Sequence, residues 1–262
     1  MDLGLKDKSA LVLASSKGLG RAIAHELAAE GARVMISGRD EVALAGTADE
    51  IRKETGAEVL HHVADLTRSG DIEALVEAAA ERFGGIDVLV TNTGGPPAGT
   101  FEDFGDADWQ SAFELTLLSL IRAVRATLPH LRTSGAGRVV CVASSSIKQP
   151  IDNLTLSNTF RAGIAGLAKS LSAELAPDGI LINTLGPGRI ATDRSKSFDA
   201  ALADRLGIPV EEVRAGAEAR IPLGRYGMPD EFARVAVFLV SPANSYLTGQ
   251  ALLVDGGMVR AL

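Results

Sequence analysis

The run Ser9-Ala10-Leu11-Val12-Leu13-Ala14-Ser15-Ser16-Lys17-Gly18-Leu19-Gly20-Arg21 decides the architecture. Residues 9–14 are almost continuously apolar, which suits a strand buried on both faces of a parallel sheet better than a half-exposed strand. A glycine-bearing turn follows. It opens into 21–30, where apolar residues recur three and four apart with charges on the other face, the pattern of a helix. This order places a helix N-terminus at the carboxyl end of the first strand. Its free N–H groups and dipole suit an anion, and Gly18 and Gly20 allow the main chain to approach one closely. Ser15, Ser16, Lys17, Gly18, Leu19 and Gly20 are therefore the first candidate ligand contacts, and a nucleotide pyrophosphate is the expected ligand.

Outward from this run the pattern repeats. Apolar runs at 33–37, 58–63, 86–90, 138–143, 180–184 and 250–254 alternate with helical stretches at 41–55, 71–83, 107–131, 156–176 and 230–240. The alternation predicts an α/β chain folded as one Rossmann-type domain over 1–262. Its doubly wound parallel sheet would have seven strands in the order 3-2-1-4-5-6-7, with helices on both faces and right-handed crossovers. Gly31, Gly56, Gly84 and Gly179 stand where left-handed helix caps belong. Segment 189–226 breaks the rhythm. It is expected to hold only one or two short helices and to serve as a substrate lid, with the charged residues of 194–218 on its solvated side.

Composition narrows the function. Of 262 residues, 46% are hydrophobic and 23% charged, an ordinary globular balance that excludes intrinsic disorder. A net charge of −7 and an aromatic content of 4% argue against a nucleic-acid partner. Cys141 is the single cysteine, so neither an intrachain disulfide nor a thiolate metal cluster is possible, and no metal is expected. Buried in an apolar strand, it reads as an inert packed thiol. No uncharged apolar run reaches the ~18 residues of a membrane span, and the opening lacks a signal-peptide pattern, so a cytoplasmic chain without membrane contact is expected.

The end of the second strand selects among nucleotides. A carboxylate there would bind an adenosine ribose and repel a 2′-phosphate. The sequence instead reads Ser37-Gly38-Arg39, and Arg39 with Lys17 offers two cations, which favours NADP(H) over NAD(H). Asp65 and Leu66, after the third strand, fit an adenine lining. Asn92, Thr93 and Gly94 lie after the fourth, at the edge where ligands collect in such sheets.

These residues in this order resemble the short-chain dehydrogenase/reductase family over nearly the whole chain. The family loop Thr-Gly-x-x-x-Gly-x-Gly appears with Ala14 in place of its first glycine, and its Asn-Asn-Ala-Gly turn appears as Thr91-Asn92-Thr93-Gly94. Pro187-Gly188 matches the family's Pro-Gly, and Thr192 its nicotinamide contact. Ile221-Pro222-Leu223-Gly224-Arg225, Leu247-Thr248-Gly249-Gln250 and Val254-Asp255-Gly256-Gly257 resemble the 3-oxoacyl-carrier-protein-reductase-like branch. The resemblance implies a small-molecule or acyl-thioester substrate and a homotetramer, with the helices at 107–131 and 156–176 packing between subunits.

The same resemblance exposes a break. The family uses a tyrosine as proton donor, a lysine four residues later, a serine upstream and an asparagine on the preceding long helix. Here the serine is Ser144, with Ser145 beside it. Ser157 stands on the tyrosine position, Arg161 on the lysine position and Thr116 on the asparagine position. A serine hydroxyl is a far weaker acid than a phenol near pKa 10, and arginine holds its proton, so the altered set loses a positioned general acid worth about 10²–10⁴ in rate. Hydride transfer belongs to the cofactor and survives if the geometry does.

Ser157 and Arg161, four apart, share a helix face. Tyr226 and Tyr246 offer no evident replacement donor, and Lys148 or Asp152 is nearer in sequence. His61 and His62 read as structural, and Trp109 as a core or interface anchor. The leading expectation is an NADP(H)-dependent oxidoreductase of a carbonyl or alcohol. Ser144 would polarise the substrate oxygen, Arg161 would hold the nicotinamide ribose, and Ser157 would relay a proton through water. The alternatives are a non-catalytic NADP(H)-binding protein and a lyase or dehalogenase that uses no hydride. Halohydrin dehalogenases share the arginine but keep a tyrosine that this chain lacks.

Overall fold

In the computed structural model, which describes residues 2–261, the apolar run after Lys8 forms β1 (Ser9–Val12) with every residue buried. It is followed by β2 (Arg33–Gly38), β3 (Val59–Val63), β4 (Val88–Thr91), β5 (Arg138–Val142), β6 (Leu181–Pro187) and β7 (Ala251–Val254). All pair in parallel in the order β3-β2-β1-β4-β5-β6-β7. The expected fold class is the one observed.

Because side chains alternate across a strand, the continuous apolar runs feed two cores. Ala10, Val12, Val34, Ile36, Val88, Val90, Val140 and Val142 face α1 (Gly18–Ala29), α2 (Glu41–Thr55) and α9 (Pro229–Val240). Leu11, Met35, Leu89, Val139 and Cys141 face α3 (Ser69–Phe83), α5 (Ser119–Ser134) and α6 (Thr155–Glu174). Gly56 and Gly84 close α2 and α3 in the left-handed conformation, at φ 72° and 76°.

Two expectations are corrected. The long helix expected at 107–131 is α4 (Asp106–Phe113) and α5, joined without a break through a π-helical turn, Glu114–Leu118, that contains Thr116. Such turns insert an extra residue and often lie at functional sites. Segment 189–226 holds two helices, as many as expected, but the first of them is not short. It holds α7 (Asp193–Leu206, 14 residues) and α8 (Val210–Glu218, 9 residues). The local reasons are plain: Thr192 caps α7 through Ser195, and Gly207 ends it at φ 65°. Buried Asp199 then pins α7 to the chain beyond α8, accepting from the Tyr226 hydroxyl at 2.9 and 3.1 Å and pairing with Arg189 at 3.3 Å.

The parallel register brings the loops after β1, β4, β5 and β6 to one edge. Thr91 lies beside Cys141, and Val142 beside Leu185. Main-chain bonds between Gly99 and residues 153–155 join the loop after β4 to the start of α6.

Candidate active site

The turn after β1 is built for an anion. Lys17 occupies the cap position of α1 without a side-chain hydrogen bond, and the first turn carries no acidic residue. The N–H groups that open the helix are thus left for a ligand. Gly18 adopts φ 61°, and a β-carbon on it would meet nothing nearer than the Thr192 methyl at 4.0 Å; Gly94 faces open space within 4 Å. These glycines line a slot between the β1 turn, the β4 turn and the start of α7.

Other members of the expected ligand set support the slot from beneath. Ser15 is fully buried; its hydroxyl donates to the Val12 carbonyl at 2.7 Å and accepts from the Ser37 N–H at 3.0 Å, tying β1 to β2. Gly20 is required by packing, since a β-carbon there would lie 2.5 Å from the Ala14 carbonyl oxygen. Asn92 donates its side-chain amide to that same oxygen at 3.0 Å. Leu66 is buried in the core, so its side chain is not free to line a ligand. Gly188 lets Asp255 approach within 2.5 Å of its missing β-carbon at the end of β6, after Pro187. Ser16 and Leu19 stay partly open, Lys17 fully so, and Thr93 bonds its neighbour's carbonyl.

At the other end of the slot, Arg39 is exposed and has no ion pair among the described residues, as is true of Lys17. The neighbouring acid is accounted for: Asp40 caps α2, accepting from the Ala43 N–H. Hydrogen bonds from the Thr67 N–H and hydroxyl, helped by the charge of Arg39, hold the Asp65 carboxyl below the usual carboxylate range. The strand tip therefore presents a cation and no free carboxylate, which suits a phosphorylated ribose.

The altered catalytic set gathers where β5 ends. Ser144 is extended and half-buried, and its Oγ accepts from the Ser146 N–H at 3.1 Å. Ser145 is buried beside it, and Ser146 carries a buried hydroxyl with no partner. Ser157 and Arg161 lie buried on one face of α6. The Arg161 Nη1 donates to the Val142 carbonyl at 2.9 Å, two residues before Ser144. Thr116 is fully buried in the π turn, and its hydroxyl also lacks a partner. Lys148 and Asp152 are exposed on the stretch leading to α6. Tyr226 is committed to Asp199, and Tyr246 is 98% exposed.

Arg194, expected on the solvated side of the flap, is exposed there, and the end of its side chain lies against Gly95, with Nη2 2.0 Å from where a β-carbon would sit. Cys141 is buried and its thiol is pushed up to about 12 by desolvation, an inert core group as expected. Among the described residues no cluster of three metal-ligating side chains occurs, and no helix is long and apolar enough to cross a membrane.

The sheet order and the glycine-lined slot at its carboxyl edge define a Rossmann-fold protein. More narrowly, the chain belongs to the short-chain dehydrogenase/reductase family: residues 13–259 match the family model described as Enoyl-(Acyl carrier protein) reductase. It is 34% identical over 260 residues to the 3-oxoacyl-[acyl-carrier-protein] reductase of Aquifex aeolicus, covering 98% of this chain and 100% of that one. It superposes on L-sorbose reductase from Gluconobacter frateurii, solved with NADPH and L-sorbose, with a TM-score of 0.96, 31% identity and 100% of both chains covered. A variant of actinorhodin polyketide ketoreductase with NADPH gives 0.92 at 34% identity over 98% of both chains.

Proposed function

We propose that this chain is an NADPH-dependent reductase of a small carbonyl compound, the class that includes 3-oxoacyl thioesters, working with an altered proton route. The observation that carries the reading is the uncapped, acid-free start of α1 facing Thr192 across an open glycine slot, with Ser144 at the neighbouring strand ends. The residues fit the cofactor. The N–H groups of 18–20 would hold its pyrophosphate, Arg39 and Lys17 its 2′-phosphate, Asp65 its adenine, and Arg161 its nicotinamide ribose. When bound, NADPH supplies the hydride that turns the carbonyl carbon into a carbinol, while the oxygen takes one proton.

Ser144 holds the substrate oxygen. Ser157 has no protein partner for its hydroxyl among the described residues, so it can pass a proton from a water to that oxygen. The buried, unpaired hydroxyl of Thr116 suits a fixed water, the service the family asks of asparagine. Segment 189–226 acts as the lid, and the family's homotetramer is the expected assembly.

The test is fluorescence titration with NADPH and NADH, followed by NADPH oxidation against ketones, aldehydes and oxoacyl thioesters. NADPH should bind at least tenfold more tightly than NADH, and Arg39→Asp should erase that preference. Turnover should fall about 10²-fold or more in Ser144→Ala. Absence of binding by either dinucleotide to the folded protein would refute the reading.

A further inference from the structure

The segment that follows β6 closes back on itself. Ile190 pairs with Gly227 in a short parallel bridge: the Gly227 N–H donates to the Arg189 carbonyl at 2.9 Å, and the Ala191 N–H donates to the Gly227 carbonyl at 2.8 Å. Position 227 has to be glycine, since a β-carbon there would lie 2.7 Å from the Ile190 Cδ1. Its neighbour Tyr226 is buried and donates its hydroxyl to the Asp199 carboxylate in the middle of α7. Arg189 pairs with the same carboxylate at 3.3 Å. Thr192 stands between the bridge and the helix. Its hydroxyl accepts from the Ser195 N–H, and its methyl lies 4.0 Å from where a Gly18 β-carbon would sit, across the slot.

These links form a ring. The chain leaves β6, passes the bridge and Thr192, and climbs α7 for about two turns, roughly 10 Å, to Asp199. It is then tied through Tyr226 to Gly227, beside its own start. Packing alone does little to orient α7, for its buried residues are Asp199 and Ala203. Its direction, and with it the place of Thr192, is set at two points: the cap and the Asp199 bond. Arg214 of α8 covers the Tyr226 ring, 5.2 Å from its centroid. Burial and the bond to Asp199 push the phenol up to about 12, so its hydroxyl stays a donor through the neutral range. Both side chains are buried, so neither is free to touch a dinucleotide.

We infer that Tyr226 and Asp199 are positioning residues for the cofactor: their bond fixes Thr192, and so the width of the slot opposite Gly18. Under the NADPH reading above, on which this rests, the effect falls on one half of the dinucleotide. The adenosine end lies at Arg39, at the other end of the slot, and is held without α7. The pyrophosphate and nicotinamide half passes between Gly18 and Thr192 and depends on the ring.

The experiment is calorimetric titration of the full chain with NADPH and with adenosine 2′,5′-bisphosphate, which keeps the adenosine end and lacks the nicotinamide half. Melting curves first establish that each variant is folded at the assay temperature. Tyr226→Phe should weaken NADPH about tenfold, as expected for a lost buried hydrogen bond to a charged group, and the bisphosphate less than about twofold. Asp199→Asn keeps an oxygen that accepts from the hydroxyl and should lose about threefold or less. Thr192→Ala should itself cost about tenfold. Adding Tyr226→Phe to it should cost about twofold at most, since both act through one residue. Arg189→Met removes only the half-exposed partner of Asp199 and serves if Tyr226→Phe does not fold. It should weaken NADPH about threefold and leave the bisphosphate unaffected.

Unchanged NADPH affinity in folded Tyr226→Phe overturns the positioning role. Equal weakening of NADPH and the bisphosphate does so too, because it marks a general loosening of the fold. A further loss of about tenfold when Tyr226→Phe is added to Thr192→Ala has the same force, since the tyrosine would then act by another route. Failure of the unaltered protein to bind NADPH is a different result, and removes the reductase reading itself.

Discussion

The turn after β1 holds two residues that each violate a local rule, and their exchange in opposite directions tests whether packing governs the loop. Gly20 lies in the first turn of α1, where alanine is intrinsically better by about 1 kcal/mol. Yet a β-carbon at Gly20 would sit 2.5 Å from the Ala14 carbonyl oxygen, 2.8 Å from the Asn92 amide nitrogen and 2.9 Å from the Ser15 α-carbon. Two of these atoms are backbone and cannot swing away. Overpacking of this kind costs about 1–3 kcal/mol, and displacing the Asn92 bond to Ala14 adds about 1 kcal/mol.

After subtracting the propensity gain, Gly20→Ala should destabilise by about 2 kcal/mol and lower Tm by roughly 4–8 °C. Ala14 is the converse case. It is held at φ 47°, a left-handed conformation that costs a non-glycine residue about 1–2 kcal/mol, against the ~0.4–1 kcal/mol that glycine loses by freeing the unfolded chain. Ala14→Gly should therefore raise stability by about 0.5–1 kcal/mol, or roughly 1–4 °C. Calorimetric melting of the two variants at one protein concentration is the assay, with NADPH titration alongside. A Gly20→Ala protein that melts at or above the parent, with unchanged NADPH affinity, would show that the loop yields freely and that the contact argument is wrong.

Two further outcomes follow from buried polar groups. Burial works to raise the pKa of Asp87, but hydrogen bonds from the Ser134 hydroxyl and from the Ser9 N–H and hydroxyl, with Lys8 nearby, outweigh it and hold the carboxyl below its usual value. A depressed carboxyl stabilises fully above its unfolded pKa near 3.9 and loses that contribution as pH falls through the folded value. Asp87→Asn should thus cost most at pH 5–7, and its urea midpoint should converge on the parent's below about pH 4; parallel curves would refute this. Tyr226→Phe removes the hydroxyl bonded to buried Asp199 and should cost about 1.5–3 kcal/mol. Limited proteolysis should then cut first within 189–226, and cleavage elsewhere would show that this bond does not anchor the flap.

The fold was legible because its signal is local and repeated. Near-continuous apolar runs as short as 138–142 suit two-faced strands by their length and β-branched content, and Gly56 and Gly84 punctuate the helices between such runs. Legibility failed where local preference and tertiary demand diverge. Nothing in Glu114–Leu118 announces a π turn, since its residues are ordinary helix formers; only its place beneath α6 distinguishes it. The flap looked irregular because it departs from the strand–helix rhythm of the rest of the chain, and α7 is fixed by its cap and by the Asp199–Tyr226 bond, which joins residues 27 apart and is not visible in the sequence. Ser15 and Leu66 sat at ligand-facing positions by spacing, yet one is spent on the joint between β1 and β2 and the other on the core.

For the site, the sequence located what was missing more readily than what had replaced it. Ser157 and Arg161 could be placed on one helix face by counting, but Arg194 meets Gly95 only through the fold. A phenol at position 157, one helical turn from the Arg161 guanidinium on the same face of α6, would be drawn toward phenolate, since nearby positive charge favours the ionised form. A serine cannot ionise there, so under the proposed function the proton has to come through water.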